Sequence, residues 1–154
     1  MTGTLSIRRE PANQPEVLRF IEALDAQMTA LYPAESNHLL DVAALMDPAV
    51  TFLVVRDGPE AVGCGALKRD PRGWGEVKRM YVRPDQRGRG IGKRVVAELE
   101  ALARAAGLPL LRLETGIHNP DAIALYRHTG FVDCAPFGDY KPDPLSVFME
   151  KRVT

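Results

Sequence analysis

The sequence predicts a mixed α/β (α+β) fold: one domain over residues 1–154, with about four helices around a single sheet of six to seven strands. Three observations carry that expectation. Short alternating or β-branched runs recur between segments whose apolar residues fall three and four positions apart. Glycine (13) and proline (12) punctuate the chain at short intervals, with no internal repeat, low-complexity tract or long linker. Hydrophobic residues make up 45% and charged residues 26%, as in ordinary globular domains, and a chain this long buries roughly two thirds of its unfolded surface.

Leu5, Ser6, Ile7 and Arg8 alternate in residues 5–9, which read as a first strand. Over residues 15–31, Val17, Phe20, Ile21, Leu24, Met28 and Leu31 fall at helical spacing. Pro15 is tolerated at the start because the N–H it lacks has no partner there, and Tyr32-Pro33 ends the helix. Residues 38–46 predict a shorter helix capped by Ser36 or Asn37. Residues 51–56 are densely β-branched, Asp57-Gly58 turns the chain, and residues 61–68 and 74–82 make the next strands. Val95, Val96, Leu99, Leu102, Ala103 and Ala106 form the buried stripe of a helix over residues 92–106, ended by Gly107 and barred from continuing by Pro109. A short strand over 110–114 follows, then a helix from Asn119-Pro120 to Thr129 closed by Gly130. Residues 131–134 and 145–150 supply the last strands.

Lys+Arg and Asp+Glu each total 20, so the global basic footprint of a nucleic-acid binder is absent. No apolar stretch approaches the ~20 residues of a membrane span, and residues 1–11 lack the apolar core of a signal peptide. Cys64 and Cys134 are far apart and have no CxxC partner. A cytoplasmic protein with reduced thiols and no metal site is expected, rather than a disulfide framework.

The most informative segment leaves a strand and enters a strongly amphipathic helix: Val82-Arg83-Pro84-Asp85-Gln86-Arg87-Gly88-Arg89-Gly90-Ile91-Gly92-Lys93. Three alternating glycines remove the Cβ atoms that would keep a ligand off the backbone, and they permit positive φ. Exposed N–H groups and the helix dipole make such a turn an anion site. Residues 78–94 hold seven Lys/Arg against Asp85 alone, a local charge of +6, so the rest of the neutral chain carries −6. That distribution suits a phosphate-bearing small ligand. A Walker A loop fails on spacing, since with Gly92-Lys93 aligned its first glycine falls on Arg87 and its last position on Arg94. A dinucleotide fingerprint fails too, because the third glycine comes one residue early. A solvated Gly/Arg loop that merely starts a helix is the plain alternative.

What does fit is the turn Q-x-x-G-x-G with its first position one residue after Gln86, so that Arg87-Gly88-Arg89-Gly90-Ile91-Gly92 reads R-G-x-G-x-G. Here the sequence resembles the GNAT superfamily of acyl-CoA-dependent N-acyltransferases, in which this turn holds the pyrophosphate of acetyl-CoA. Asn119-Pro120-Asp121-Ala122-Ile123-Ala124-Leu125-Tyr126-Arg127-His128-Thr129-Gly130-Phe131 matches the family block N-x-x-A-x-x-L-Y-x-x-x-G-F, and Gly75 to Val82 fits the strand before the glycine turn. The resemblance covers nearly the whole chain. It implies a mostly antiparallel sheet whose fourth and fifth strands splay apart, and acetyl transfer from acetyl-CoA directly to a primary amine. The cofactor-binding residues it implies are Met80, Tyr81, Val82, Gln86, Arg87, Gly88, Arg89, Gly90, Ile91, Gly92, Lys93, Asn119 and Tyr126. The Met80 N–H is the implied oxyanion donor, and Asn119 is the implied contact to the pantetheine arm.

Acyl transfer to an amine needs the nucleophile neutral, yet a lysine-like ammonium has a pKa of about 10.4, so a base must take its proton. Glu76, on the strand feeding the glycine turn, is the candidate base. By strict alternation it shares a face with Lys78, Met80 and Val82; a surface pairing with Lys78 or Arg79 is its structural alternative. Glu114 and His118 are alternative bases. Tyr126 is the candidate acid for the leaving thiolate, because a phenol with a pKa of about 10 stays protonated at neutral pH; its alternative is a core aromatic. Neither cysteine lies in these motifs, so a covalent cysteine intermediate has no nucleophile.

In the family, the acceptor meets the first helices and the loop before the last strand, here Tyr32 to His38 and Pro136 to Lys141. Their aromatic, acidic and hydrogen-bonding groups suit a small amine such as an amino acid or polyamine, and dimers are common in the superfamily. Competing readings are a non-catalytic acyl-CoA sensor, acetylation of a protein lysine or N-terminus, and nucleic-acid binding by the basic stretch. Only the last would weaken steeply with salt.

Overall fold

The structure, a computed structural model, describes residues 4–34 and 41–154. Seven strands form one sheet in the order β1-β2-β3-β4-β5-β7-β6. They are β1 (Leu5–Arg9), β2 (Val50–Asp57), β3 (Glu60–Asp70), β4 (Trp74–Val82), β5 (Leu110–Gly116), β6 (Val132–Asp133) and β7 (Ser146–Arg152). Every neighbouring pair is antiparallel except β4 with β5. The helices are α1 (Pro15–Leu31), α2 (Val42–Leu45), α3 (Ile91–Ala105) and α4 (Pro120–His128).

The parallel β4/β5 pair follows from α3. Antiparallel neighbours need only a tight turn, whereas parallel strands need a crossover. Ile91, Val95, Val96, Leu99 and Ala103 are buried along α3, and they pack on Leu53, Val55, Val62, Leu67, Val77, Leu111 and Leu113 of the sheet. Full burial of each large aliphatic side chain stabilises by about 1.5–3 kcal/mol. The opposite face carries α1, whose Val17, Phe20 and Ile21 pack on Phe52, Val54, Cys64 and Ala66. A third cluster, Trp74, Phe137 and Phe148, lies beyond α1 on that face.

Two expected boundaries moved for local reasons. The expected cap residues Ser36 and Asn37, and the start of the helix expected over 38–46, lie outside the described residues. The helix that is described begins at Val42, where the Asp41 carboxylate accepts the Ala44 N–H at 2.8 Å. The strand expected over 131–134 shrinks to two residues. Phe131 is instead buried beneath α4, its N–H donating to the Tyr126 carbonyl at 3.0 Å after Gly130 turns at φ +99°.

Candidate active site

The parallel pairing of β4 and β5 covers only Trp74↔Leu110, Gly75↔Leu111 and Glu76↔Arg112. Beyond it β4 continues to Val82 and β5 to Gly116, so the two strands diverge and a cleft of about 600 Å³ opens between them, α1, α3 and α4. A β-bulge shapes one wall. Ala66 faces Lys78 while Cys64 faces Tyr81, which puts two residues of β4, Arg79 and Met80, opposite Gly65 alone on β3.

The bulge forces Arg79 to φ 52°, a conformation costly for any side chain except glycine. Its surroundings hold it there. The Cys64 Sγ–H donates to the Arg79 carbonyl at 3.3 Å, and the Arg79 guanidinium meets Asp25 of α1 at 2.7 Å. Burial pushes the Cys64 thiol up to about 12, so it stays protonated and able to donate. The bulge also corrects the expected facing of side chains. Met80 and Val82 pack with the α3-side core, while Tyr81 stacks on Phe20 of α1 at 5.0 Å. Glu76 and Lys78 keep to the other face, with Tyr140.

A single 3-10 turn, Pro84–Gln86, leads from β4 into the glycine segment. Gly88 and Gly90 adopt φ +86° and +73°, and a Cβ at either would meet nothing within 4 Å. Gly90 caps α3 with no side-chain hydrogen bond, leaving first-turn N–H groups directed outward. Gly92 serves packing, because a Cβ there would stand 3.0 Å from Leu125 Cδ2 on α4.

Of the seven basic residues over 78–94, Lys78, Arg79, Arg83 and Arg89 are ion-paired, with Glu76, Asp25, Glu60/Asp85 and Asp57. Arg87, Lys93 and Arg94 make no ion pair among the described residues; the first two line the cleft with Gln86, Gly88, Gly90, Ile91 and Gly92. Arg89 does not. Its guanidinium turns to Asp57 at 3.0 Å and to Gln86 Oε1 at 2.6 Å, bracing the turn from behind.

The facing wall comes from α4. Tyr126 lines the cleft and is 6% exposed, its ring edge-on to Phe131 at 5.6 Å. Burial raises its hydroxyl well above the ordinary phenol value, so the proton stays on. Asn119 occupies the N-cap position of α4 but makes no capping bond with its side chain. Its buried Oδ1 has no partner among the described residues, and the residue lines the cleft. A buried acceptor without a donor is costly, so a ligand N–H there would be bound strongly. Open helix-end amides, two unpaired cations and an orphan amide oxygen together suit a diphosphate with an amide-containing arm.

At the other end, toward α1, the cleft is lined by Lys78, Arg79, Glu114 and His118. Glu76 is absent from the lining. It is 9% exposed, accepts the Tyr140 hydroxyl at 2.5 Å and pairs with Lys78 at 3.0 Å. Glu114 accepts the Ser146 hydroxyl at 2.8 Å. The His118 N–H donates to the Tyr32 hydroxyl at 2.9 Å, over Gly116, where a Cβ would overlap that oxygen. Sequence reasoning missed the bulge with its Cys64 and Asp25 supports, and the reach of Tyr140 to Glu76. The residue at positive φ in the bulge is an arginine and not a glycine that would mark it, and Tyr140 is 64 residues from its partner.

A model of the acetyltransferase (GNAT) family matches residues 17–131. The chain is 53% identical over 150 residues to the IAA acetyltransferase of Azospirillum brasilense, covering 97% of this chain and 98% of that one. It is 39% identical over 128 residues to the uncharacterized N-acetyltransferase YsnE of Bacillus subtilis, covering 82% and 85%. Among solved structures, a candidate acyl-CoA N-acyltransferase of Klebsiella pneumoniae superposes with a TM-score of 0.85 at 40% identity, covering 97% of this chain and 98% of that one.

Proposed function

Because the chain belongs to the acetyltransferase (GNAT) family and is an acetyl-CoA-dependent N-acetyltransferase, we propose that it transfers the acetyl group directly to the amine of a small molecule at the splayed end of β4 and β5. The observation that carries this reading is the cleft itself. It runs from the glycine turn to the α1 end, past Met80, Asn119 and Tyr126, without interruption. Bound acetyl-CoA supplies an activated thioester carbonyl. The chain's own groups bind, orient and move protons around it.

In this proposal Gly88, Gly90 and the first turn of α3 donate to the diphosphate, with Arg87 and Lys93 as counter-charges. The β4 backbone from Met80 to Val82, freed from β5 by the splay, pairs with the extended arm. Asn119 Oδ1 accepts an amide N–H of that arm. The Met80 N–H stabilises the oxyanion, an interaction whose loss typically costs about 3 kcal/mol in the barrier. Tyr126 donates its hydrogen bond to the departing sulfur. Its raised pKa makes it a donor first, and full proton transfer requires prompt reprotonation from the amine side.

Sequence reasoning placed the base at Glu76, with Glu114 and His118 as alternatives. Glu76 is committed to Lys78 and Tyr140 and sits off the lining. We therefore assign the proton-accepting role to Glu114, directly or through water, with His118 beside it. The test is an acetyl-CoA consumption screen that reads free thiol release against amino acids, their carboxamides, polyamines and protein N-termini, with IAA included because of the Azospirillum relative. Thiol release with small amines supports the reading. Release only with protein substrates, or binding of CoA without turnover on any acceptor, contradicts it.

A further inference from the structure

The α1 end of the cleft is electrically ordered. Its β4 wall presents Lys78 and Arg79, while Glu114 stands on β5 across the splay. The carboxylates that balance the two cations, Glu76 and Asp25, are not part of the lining. A molecule entering the cleft therefore meets Lys78 and Arg79 on one wall, each with its carboxylate partner behind it, and Glu114 on the other. The β4 cations are also fixed in place: the side chains of Lys78 and Arg79 are only 13% and 3% exposed.

What fixes Lys78 is Tyr140. This residue belongs to the connection between β6 and β7 and reaches β4 from an aromatic cluster, its ring 5.2 Å from Phe137 and 5.5 Å from Phe148. Its hydroxyl accepts from Lys78 Nζ at 2.6 Å and donates to Glu76 Oε2 at 2.5 Å. Glu76 also meets Lys78 directly at 3.0 Å, which closes a three-membered ring of interactions. A flexible four-carbon stem would otherwise let the ammonium wander. Removing the hydroxyl leaves the aromatic packing in place and unties two polar contacts at once.

We propose that the acceptor is an amine that also carries an acid group, an amino acid or aminophosphonate, held with its amine toward Glu114 and its acid toward the β4 cations, and that Tyr140 is the positioning residue that keeps Lys78 in register for that acid. This rests on the small-amine reading above and narrows it. The same arrangement disfavours polyamines, whose second positive charge would face Lys78 and Arg79. Like charges brought close in a partly dehydrated site repel, whereas an acid group there gains charge-assisted hydrogen bonds.

The experiment compares kcat/KM for each amino acid with that for its carboxamide, which has the same shape and lacks the negative charge. It is run on the unmodified chain, Lys78→Met, Lys78→Arg, Tyr140→Phe and the Lys78→Met/Tyr140→Phe double variant. The acetyl-CoA dissociation constant reports that each variant is folded. The expected result is an acid-over-amide preference of at least about tenfold in the unmodified chain. That preference collapses toward unity in Lys78→Met, is kept in part by Lys78→Arg, and falls in Tyr140→Phe. The double variant should match Lys78→Met alone, because Tyr140 acts through the lysine. A purely structural role for Tyr140 would lower both rates together and leave their ratio unmoved. Preference for carboxamides or polyamines, a ratio that survives Lys78→Met, or independent additive effects would each overturn the inference while leaving the small-amine reading intact. If no small amine is acetylated, that reading falls and takes the inference with it.

Discussion

Gly88, Gly90 and Gly92 look alike in the sequence and do two different jobs. The first two hold positive φ and open onto empty space, whereas the third lets Leu125 of α4 approach α3. Gly90→Val should therefore abolish acetyl-CoA binding in calorimetry while the chain stays folded. The strain it adds is of order 1–3 kcal/mol, smaller than the typical stability of a domain. Gly92→Ala should loosen the seam between α3 and α4 and weaken binding only modestly. Tyr126→Phe keeps the ring against Phe131 and removes the proton. It should cut kcat by about 10²–10⁴ with little change in acetyl-CoA affinity, as expected for lost acid catalysis, and unaltered turnover would reduce Tyr126 to packing. The three glycines and Tyr126 were legible because each lies within a contiguous motif. Glu76 was legible both as a candidate base and, in its structural alternative, as a partner of Lys78; its burial and its bond from Tyr140 were not, because that tyrosine arrives from a distant loop.

Among the elements, α3 was the most legible, since its stripe of Val95, Val96 and Leu99 follows the helical period and stays buried throughout. Leu99→Ala should destabilise the fold by about 2–5 kcal/mol, measured by denaturant unfolding. The bulge in β4 was not legible. Period-two reasoning carries Glu76 through to Met80 and Val82 on one face, and one extra residue opposite Cys64 and Ala66 reverses the outcome. The positive φ at Arg79 depends on tertiary support from Cys64 and Asp25, which no local pattern reveals. The end of β5 is similarly dependent on tertiary contact. Gly116→Ala would drive a methyl group into the Tyr32 hydroxyl and break its bond from the His118 N–H. We expect about 1–3 kcal/mol of destabilisation, typical of overpacking, together with a raised acceptor KM, because His118 lines the cleft.

Across the whole molecule, neutrality hides an uneven arrangement. Four of the seven cations concentrated over residues 78–94 are held in ion pairs, and among the described residues Arg87 and Lys93 are left at the cleft without one. The sequence made the charge excess legible but not this sorting, which depends on Asp25, Asp57 and Glu60 being brought in from other elements. Two ion pairs outside that segment bear on the acid limit of stability. Hydrogen bonds from Arg56 hold the Glu10 carboxyl below its ordinary 4.5, and Arg72 lowers Asp70 in the same way. Carboxyls with lowered folded-state pKa values contribute stability that is complete above the unfolded value and is lost as pH falls through the folded one. Unfolding free energy should thus decline below about pH 4.5, and Glu10→Gln should be less stable at pH 7 with a shallower decline in acid, as read by urea titrations at several pH values. Whether the amides at the start of α3 grip the diphosphate of acetyl-CoA, as proposed, is read from a crystal structure of the chain grown with coenzyme A. Diphosphate oxygens are expected within hydrogen-bonding distance of the backbone N–H groups of residues 88–92, with the arm running along Met80 to Val82 toward Asn119. A nucleotide bound elsewhere, with that turn left empty, would contradict the proposal.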